Sequence, residues 1–305
     1  MKELPDLVWT PAWTSNIGCI HGALDYLGIA PELSWLFGAT GHAFLINMSK
    51  DGSCPSGPTA WKTAHFFDLG KNIGYQIEMV WGDKRKPEFQ NKQKAAWEMV
   101  VAEFYLVNGY DEQGYYFSGP GEDTAPSPKP WQQLGESEIG MLELYSIKPH
   151  QSSEIEVQVR EGLQFALDFN QGSPEYVLPD YLAGKAAYQA WIEALISERA
   201  SSLGHSYNAA VWEECRRNSV AFLYSVKTKM KGKMDHLINQ AIQAYSQVAC
   251  QLKDITELYP FFENNSKDPV GENPRSQKAA KHLQAALEAE IAGEGFLKQI
   301  NEILG

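Results

Sequence analysis

The sequence predicts an α+β domain over residues 1–150, followed by an all-helical domain over residues 151–305. The first range holds 16 Gly and 11 Pro against 9 and 5 in the second, so turn-forming residues are concentrated in the first half. Seven of the nine Trp residues also lie there. Hydrophobic spacing changes between helical and strand periods in the first range and stays helical in the second. We expect the boundary near residues 147–153.

Elements of both kinds are predicted in the first domain. Ser15 or Asn16 can cap a helix that Gly28 stops, and Thr59 can cap another. A turn at residues 111–114 separates two strand-like runs and predicts a hairpin. The predicted helices cover 15–27, 32–37, 59–69 and 91–101, and the predicted strands cover 42–48, 75–81, 103–109, 115–118 and 142–147.

The second domain is predicted to be a helical bundle. Its apolar residues recur at helical spacing, and a polar, Pro-bearing loop at residues 264–274 precedes the last segment. Arg216 and Arg217 are expected on a solvated face or in an ion pair between the domains. The predicted helices cover 155–170, 181–201, 207–229, 233–258 and 277–304.

Composition excludes several classes of function. The chain has 26 Lys and Arg against 38 Asp and Glu, a net charge of -12, and its basic residues form no cluster. We therefore expect no nucleic-acid partner and no anionic membrane surface. The sequence begins without an apolar signal region and has no long apolar span. With only four cysteines and no paired Cys motif, a reducing, cytoplasmic setting is expected.

Cys19 is the first candidate for chemistry. If Asn16 is the N-cap, Cys19 occupies the third helical position, where free amides and the helix dipole favour an anion. A thiol there can have a pKa below about 8.5, which makes it a nucleophile near neutral pH. The alternative is that Cys19 is a small buried core residue, because free cysteine is often fully buried.

The residues around Cys19 resemble a known family. The segment from Ser15 to Leu27 resembles the Cys-bearing first helix of papain-like cysteine peptidases, and most closely the N-terminal domain of the butirosin-biosynthesis acyltransferase (protein H) family. The strands at 103–111 and 115–120 are similar to the strand-turn-strand of papain-like bacteriocin-processing peptidases. Residues 188–222 look like the helical C-terminal domain of the acyltransferase family. The resemblance implies a papain-like fold and acyl transfer through a Cys thioester, with His as base and Asp or Asn orienting it.

This sequence retains the family's nucleophile but has different residues at the positions of the base and of the orienting residue. Cys19 matches the nucleophile position. The base position falls on Glu103 and the orienting Asp position on Gly119. Glu103 could act as a base in an apolar strand, donate a hydrogen bond while neutral, or face solvent. An ionised Glu103 would repel a thiolate and raise the pKa of Cys19.

His42 is a second candidate base. It follows a turn that ends at Gly41, where glycine permits close backbone approach to a ligand. Catalytic triads occur in several chain orders, so its position between Cys19 and Glu103 does not exclude it. A histidine at the start of a strand can equally be a hydrogen-bonded structural residue.

Further residues are candidates for ligand binding. Cys54 lies in a Pro-rich loop that feeds the helix predicted from Thr59, which would make an anion pocket or a tight surface turn. Asn16 and Gly41 flank the candidate catalytic groups, and Tyr110 belongs to a set of aromatic residues that could line a cleft or fill the core. The seven His show no metal-binding spacing and no phosphate-binding glycine motif is present, so no metal or cofactor is expected.

Two functions remain open at the level of sequence. The first is acyl-transfer or amide-bond chemistry on a small polar metabolite, with Cys19 as nucleophile and a small-molecule acyl donor as partner. The second is a catalytically silent, papain-like protein that binds a small molecule and lacks the His and Asp of the triad. A third possibility is that the helical half binds a partner protein.

Overall fold

The computed structural model describes residues 2–52, 54–83, 103–122, 128–135, 141–197, 199–232, 234–263 and 274–305. Helices and antiparallel strands are both present and the C-terminal region is helical, so the protein is of the α+β class. The helix predicted over 91–101 lies outside the described residues.

The helices agree closely with the periodic segments of the sequence. The α4 helix occupies the predicted range, and α6 begins after Ser201, whose hydroxyl accepts the Gly204 N–H at 3.0 Å as an N-cap. Gly28, with φ of 71°, ends α1 in the left-handed conformation that glycine permits. The described helices are α1 (Ser15–Tyr26), α2 (Leu33–Ala39), α3 (Ala64–Ile73), α4 (Ile155–Asn170), α5 (Gly184–Ile196), α6 (Ser202–Lys229), α7 (Asp235–Leu258) and α8 (Pro274–Leu304).

The described strands form three antiparallel sheets. The strands are β1 (Lys2–Glu3), β2 (Asn47–Ser49), β3 (Tyr75–Asp83), β4 (Leu106–Tyr110), β5 (Gly114–Ser118), β6 (Lys129–Pro130), β7 (Met141–Pro149) and β8 (Tyr181–Ala183). One sheet has the order β1-β4-β5-β6, while β2 pairs with β8 and β3 with β7. The predicted β4–β5 hairpin is confirmed, and Asp111 shapes its turn by accepting the Gln113 N–H at 2.8 Å.

Several predicted elements differ because tertiary contacts overrule the local pattern. The helix predicted over 181–201 covers only Gly184–Ile196, since Tyr181–Ala183 pair with β2 as a strand. Residues 42–44 form a 3-10 turn, and the strand predicted over 42–48 is limited to β2. The helix predicted from Thr59 begins five residues later, at Ala64. Before it, Trp61 forms an isolated bridge with Val177, and this extended pairing is incompatible with a helix.

The chain forms two compact units, and each is discontinuous in sequence. The first comprises Met1–Leu33 and Gly74–Ser152, and the second comprises Ser34–Ile73 and Ser153–Gly305. The last crossing between units coincides with the predicted boundary near 147–153. The segment 34–73, however, belongs with the helical residues and not with the predicted domain of residues 1–150, because β2 pairs with β8.

The first unit has two small apolar clusters around its sheets. The α1 helix packs against β4 and β7. One cluster contains Tyr105, Tyr115, Phe117, Leu134 and Leu144. The other contains Leu7, Cys19, Ala23, Phe104 and Leu106, with Trp9, Tyr145 and Ile147 packed against it.

The second unit has a larger core, in which α6, α7 and α8 pack together and α5 and α4 pack on α8. Buried aromatic side chains fill this core. Among them, the indole of Trp191 donates a hydrogen bond to Nδ1 of His205 at 2.9 Å. The largest fully buried side chains of the core include one charged residue, Arg216, which has an exposed fraction of 0%.

Candidate functional site

Cys19 lies in the second turn of α1, whereas the sequence predicts a position in the first turn. The N-cap is Thr14, which makes no side-chain cap, and the Gly18 N–H already bonds to the Thr14 carbonyl at 3.1 Å. Cys19 therefore follows the free amides of the helix start. Asn16, expected as the cap, is buried inside the helix, and its Oδ1 accepts the adjacent Ile17 N–H at 2.8 Å.

The Cys19 thiol is neutral at physiological pH. Its side chain is 8% exposed and packs in an apolar cluster that includes Leu7 and Phe104. Burial raises its pKa well above the usual value, and the negative charge of Glu103 raises it further. The lowered pKa expected at a helix start is absent, because Cys19 follows the free amides of α1 and the desolvation of its thiol is reinforced by the negative charge of Glu103.

Glu103 is hydrogen-bonded to the helix that carries Cys19. Ser15, one turn before Cys19 on α1, donates a hydrogen bond from Oγ to Oε2 of Glu103. The Phe104 N–H in turn donates to Oγ of Ser15 at 3.0 Å. These two bonds fix the half-buried Glu103 carboxylate on the first turn of α1, and its charge opposes ionisation of the Cys19 sulfur.

Gly119, at the family's orienting position, has no room for a larger side chain. A β-carbon there would lie 2.5 Å from a ring carbon of Tyr105. The Gly119 N–H donates instead to Oε2 of Glu122 at 2.7 Å. An aspartate could not occupy this position unless the Tyr105 ring moved.

The N-terminal segment Val8–Thr10 lies directly on α1. A β-carbon at Gly22 would lie 2.1 Å from the Val8 carbonyl oxygen, and one at Gly18 would lie 2.3 Å from that of Thr10. The Thr10 N–H donates to the Gly18 carbonyl at 3.2 Å. Since Leu7 and Trp9 pack into the cluster that holds Cys19, this segment contributes to burial of the thiol. The spacing Gly18-x-x-x-Gly22 is the sequence signal for this close approach.

His42 belongs to the second unit, whereas Cys19 and Glu103 belong to the first. It is fully buried among the rings of Phe37, Trp61 and Phe66, with ring centroids 5.6–6.0 Å away. Neither ring nitrogen has a hydrogen-bond partner among the described residues. Burial and the charge of Arg216 lower the pKa of His42 to about 3, so the imidazole is neutral.

Gly41 supports chain packing and not ligand approach. It adopts φ of 74°, and a β-carbon there would lie 2.6 Å from the carbonyl oxygen of Gly162 on α4. The close backbone approach predicted for this turn is therefore made by another helix of the same unit.

Cys54 lies in a turn and not at a helix start, because α3 begins only at Ala64. Its Sγ is 2.6 Å from Oγ of Ser56 and 3.9 Å from the Tyr181 hydroxyl, so the thiol is half-buried among hydroxyl groups. The predicted anion pocket at a helix N-terminus is absent from this loop.

Tyr110 lies at an open surface depression of about 570 Å³. Its ring is 43% exposed, and Nζ of Lys2 lies 5.9 Å from the ring centroid. Asp111 is already bonded in the hairpin turn, and these hydrogen bonds lower its pKa. The residues that line the depression are Lys2, Tyr110, Asp111, Glu112 and Gln113.

Sequence reasoning missed a buried polar cluster in the second unit. Arg216 was expected on a solvated face or between domains, but its Nε bonds to Oε2 of Glu290 at 2.8 Å, and the two side chains are 0% and 1% exposed. Its Nη1 donates to the carbonyls of Ala43 and Leu45 at 2.9 and 2.8 Å. The signal was the position of Arg216 on α6, four residues after the buried Trp212.

Asn170 completes the support of this buried turn. Its Nδ2 donates to the Phe44 carbonyl at 2.9 Å and to Oε1 of Glu294 at 2.8 Å, while its Oδ1 accepts the Ile46 N–H at 3.3 Å. Side chains of α4 and α6 thus bind the backbone of residues 43–46. Such bonds are needed because a buried backbone without partners costs free energy.

Metal-ligand clusters and membrane-spanning helices are both absent from the described residues. In the part of the chain that the structure describes, no three His, Cys, Asp or Glu residues are grouped as a metal site. Within the same ranges, no helix combines the length and apolar character that crossing a membrane requires. Comparison with protein-family models and with curated proteins finds no match to this chain.

Proposed function

We propose that this protein binds a small polar molecule without transforming it, and that its first unit is a papain-like domain without a working triad. The observation that carries the proposal is the neutral, buried thiol of Cys19. A cysteine nucleophile reacts as the thiolate, so catalysis requires a lowered pKa or an adjacent base.

The groups around Cys19 support the proposal. Glu103 takes the place of the base, and its charge destabilises a thiolate instead of stabilising one. Gly119 takes the place of the orienting aspartate, and the Tyr105 ring fills the space beside it. Acyl transfer would need a base at residue 103 that promotes thiolate formation and a side chain at residue 119 that orients this base. The charge of Glu103 opposes the first, and the Tyr105 ring leaves no space for the second.

The depression beside Tyr110 is the proposed ligand site. It offers an aromatic face, the Lys2 ammonium group and the polar side chains of Glu112 and Gln113. These groups suit a small molecule that carries both hydrogen-bond donors and acceptors. We expect Tyr110→Ala to abolish the thermal stabilisation that a polar-metabolite library produces in the wild type, and Tyr110→Phe to retain most of it.

Alkylation of the four cysteines with iodoacetamide, read by peptide mass spectrometry, tests the state of Cys19. Cys250 is exposed and Cys215 is buried, so they are internal standards for fast and blocked reaction. We expect Cys19 to behave like Cys215 between pH 6 and about 9 and to react only after unfolding in urea. Fast reaction of Cys19 at neutral pH, together with turnover of an acyl thioester that Cys19→Ala removes, would support the acyl-transfer function instead.

Glu103→Gln separates the two causes of the raised pKa. Removing the charge is expected to lower the pKa of Cys19 and to leave it above the ordinary value, because burial is the larger cause. Unfolding would expose the Cys19 thiol in every variant and hide the effect of Glu103. The alkylation of Cys19 is therefore followed at high pH in the absence of denaturant. Glu112→Gln in the exposed hairpin turn is the matched control and should leave the alkylation profile unchanged. An unchanged profile in Glu103→Gln as well would show that the carboxylate does not act on the thiol.

A further inference from the structure

Two carboxyl groups on successive turns of α8 face a single guanidinium group. Glu290 is 1% exposed and Glu294, four residues later, is half-buried. Arg216 gives its Nε to Glu290 and its Nη1 to two backbone carbonyls. Arg216 is therefore the one cation among the described groups that act on both carboxylates, and its hydrogen bond is to Glu290.

The other groups around Glu294 do not supply a second positive charge. From α4, Asn170 donates a neutral hydrogen bond to Oε1 of Glu294. From α5 and α7, the hydroxyl groups of Tyr188 and Tyr245 are uncharged, since burial and the nearby carboxylates raise the pKa of both. Within the described residues, the charged groups that act on Glu294 are Glu290 and Arg216.

Unpartnered atoms in the same cluster indicate that its hydrogen bonding is incomplete. Oε1 of Glu290, Nη2 of Arg216 and the hydroxyl of Tyr245 are buried and have no partner among the described residues. A buried acceptor that lacks a donor destabilises the folded state, because its hydration is lost without replacement. A cluster with one unused carboxylate oxygen and an uncompensated negative charge has the properties of a proton-binding site.

We propose that the Glu290–Glu294 pair binds one proton, carried by Glu294, and that loss of this proton weakens the bridge that Arg216 makes between α8 and the turn at residues 43–46. The link is Arg216, which binds Glu290 and the carbonyls of Ala43 and Leu45, and which an ionised Glu294 would also attract. Burial and the charge of Glu290 raise the pKa of Glu294 from 4.5 to about 7. The helix is thus a pH-sensitive latch, a property separate from the proposed ligand binding.

The direction of the effect follows from linkage. A carboxyl whose pKa is higher in the folded state binds a proton more tightly there, so its contribution to stability is fully present below pH 4.5. That contribution is lost as the pH rises toward 7. Between pH 5 and 8 we expect Glu294 alone to raise the unfolding equilibrium constant by roughly 100-fold.

Urea unfolding of the full chain at pH 5 and pH 8 tests the latch. Glu294→Gln keeps the shape and the hydrogen bond from Asn170 and removes the titration, so its stability should vary with pH about 100-fold less than that of the wild type. Glu302→Gln, an exposed position on the same helix, is the matched control and should keep the wild-type dependence. Equal pH dependence in the wild type and Glu294→Gln would overturn the proposal.

A second measurement keeps the proposal testable if Glu294→Gln does not fold. The side-chain carboxyl carbon of Glu294 can be followed by NMR in the folded wild type as the pH is varied. A titration midpoint near 7, with the protection factors of the Leu45 and Ile46 amides falling above it, is the expected result. A midpoint near the ordinary value of 4.5 would overturn the proposal.

Discussion

Arg216→Met is expected to destabilise the protein by about 3–5 kcal/mol, because it leaves the Glu290 carboxylate buried without its cation. The substitution also removes the donor for the carbonyls of Ala43 and Leu45. Breaking a buried pair from one side costs far more than the pair contributes, since desolvation of the remaining charge is no longer offset. Urea unfolding monitored by circular dichroism measures the change.

Arg217→Met is the matched control for this prediction. Arg217 is the next residue on α6 and forms an ion pair with Glu213. The Arg217 side chain is 61% exposed. Exposed pairs contribute about 0–1 kcal/mol, so this variant should unfold close to the wild type. Replacing Arg216 and Glu290 together by apolar residues should cost less than Arg216→Met alone, because the Glu290 carboxylate is then not left buried without its cation. Equal losses for the Arg216 and Arg217 variants would contradict a buried pair.

Gly22→Ala is expected to displace the N-terminal segment from α1 and to expose Cys19. The new methyl group would lie 2.1 Å from the Val8 carbonyl oxygen, which is backbone and has no side-chain freedom to move away. Overpacking of this kind costs about 1–3 kcal/mol. A cost of about 1.4 kcal/mol would accelerate alkylation of Cys19 through local opening by roughly tenfold.

Gly295→Ala gives the control for the same substitution in a helix. Nothing lies within 4 Å of a β-carbon at Gly295, so this variant should gain about 0.5–1 kcal/mol from helix propensity alone. Iodoacetamide labelling at pH 8.5 under native conditions compares the two variants with the wild type. If Cys19 stays as slow in Gly22→Ala as in Gly295→Ala, the N-terminal segment does not protect the thiol.

Elements with a regular local pattern were predictable from sequence. The α4 helix and the β4–β5 hairpin depend on periodicity and turn residues that lie within each segment. The run from His42 to Met48 was not predictable, because it is apolar enough for a strand but its backbone bonds to Arg216 and Asn170. Arg216 and Ala43 are 173 residues apart in the chain, and no local pattern records such a contact.

For the candidate site, the sequence indicates residues that could take part but not their chemical state. The resemblance pairs Glu103 with Cys19, and in the structure the charge of Glu103 raises the pKa of that thiol. The state of the thiol depends on burial beside Leu7, which lies outside the motif, and on the helix start, because Thr14 and not Asn16 is the N-cap. Candidate bases were chosen by residue type, whereas burial sets their charge, as the neutral His42 shows.

The interleaved order of the two units has a consequence for synthesis on the ribosome. All residues of the first unit have been made once Ser152 is translated, so that unit can fold early with residues 34–73 looped out. Those looped-out residues include β2 and the apolar turn before it, which wait for β8 and α6 to be made. Until then an apolar segment has no strand partner, the condition under which nascent chains aggregate or recruit chaperones. Separate expression of residues 153–305 would recreate the complementary defect, a helical bundle that lacks the segment its buried arginine binds.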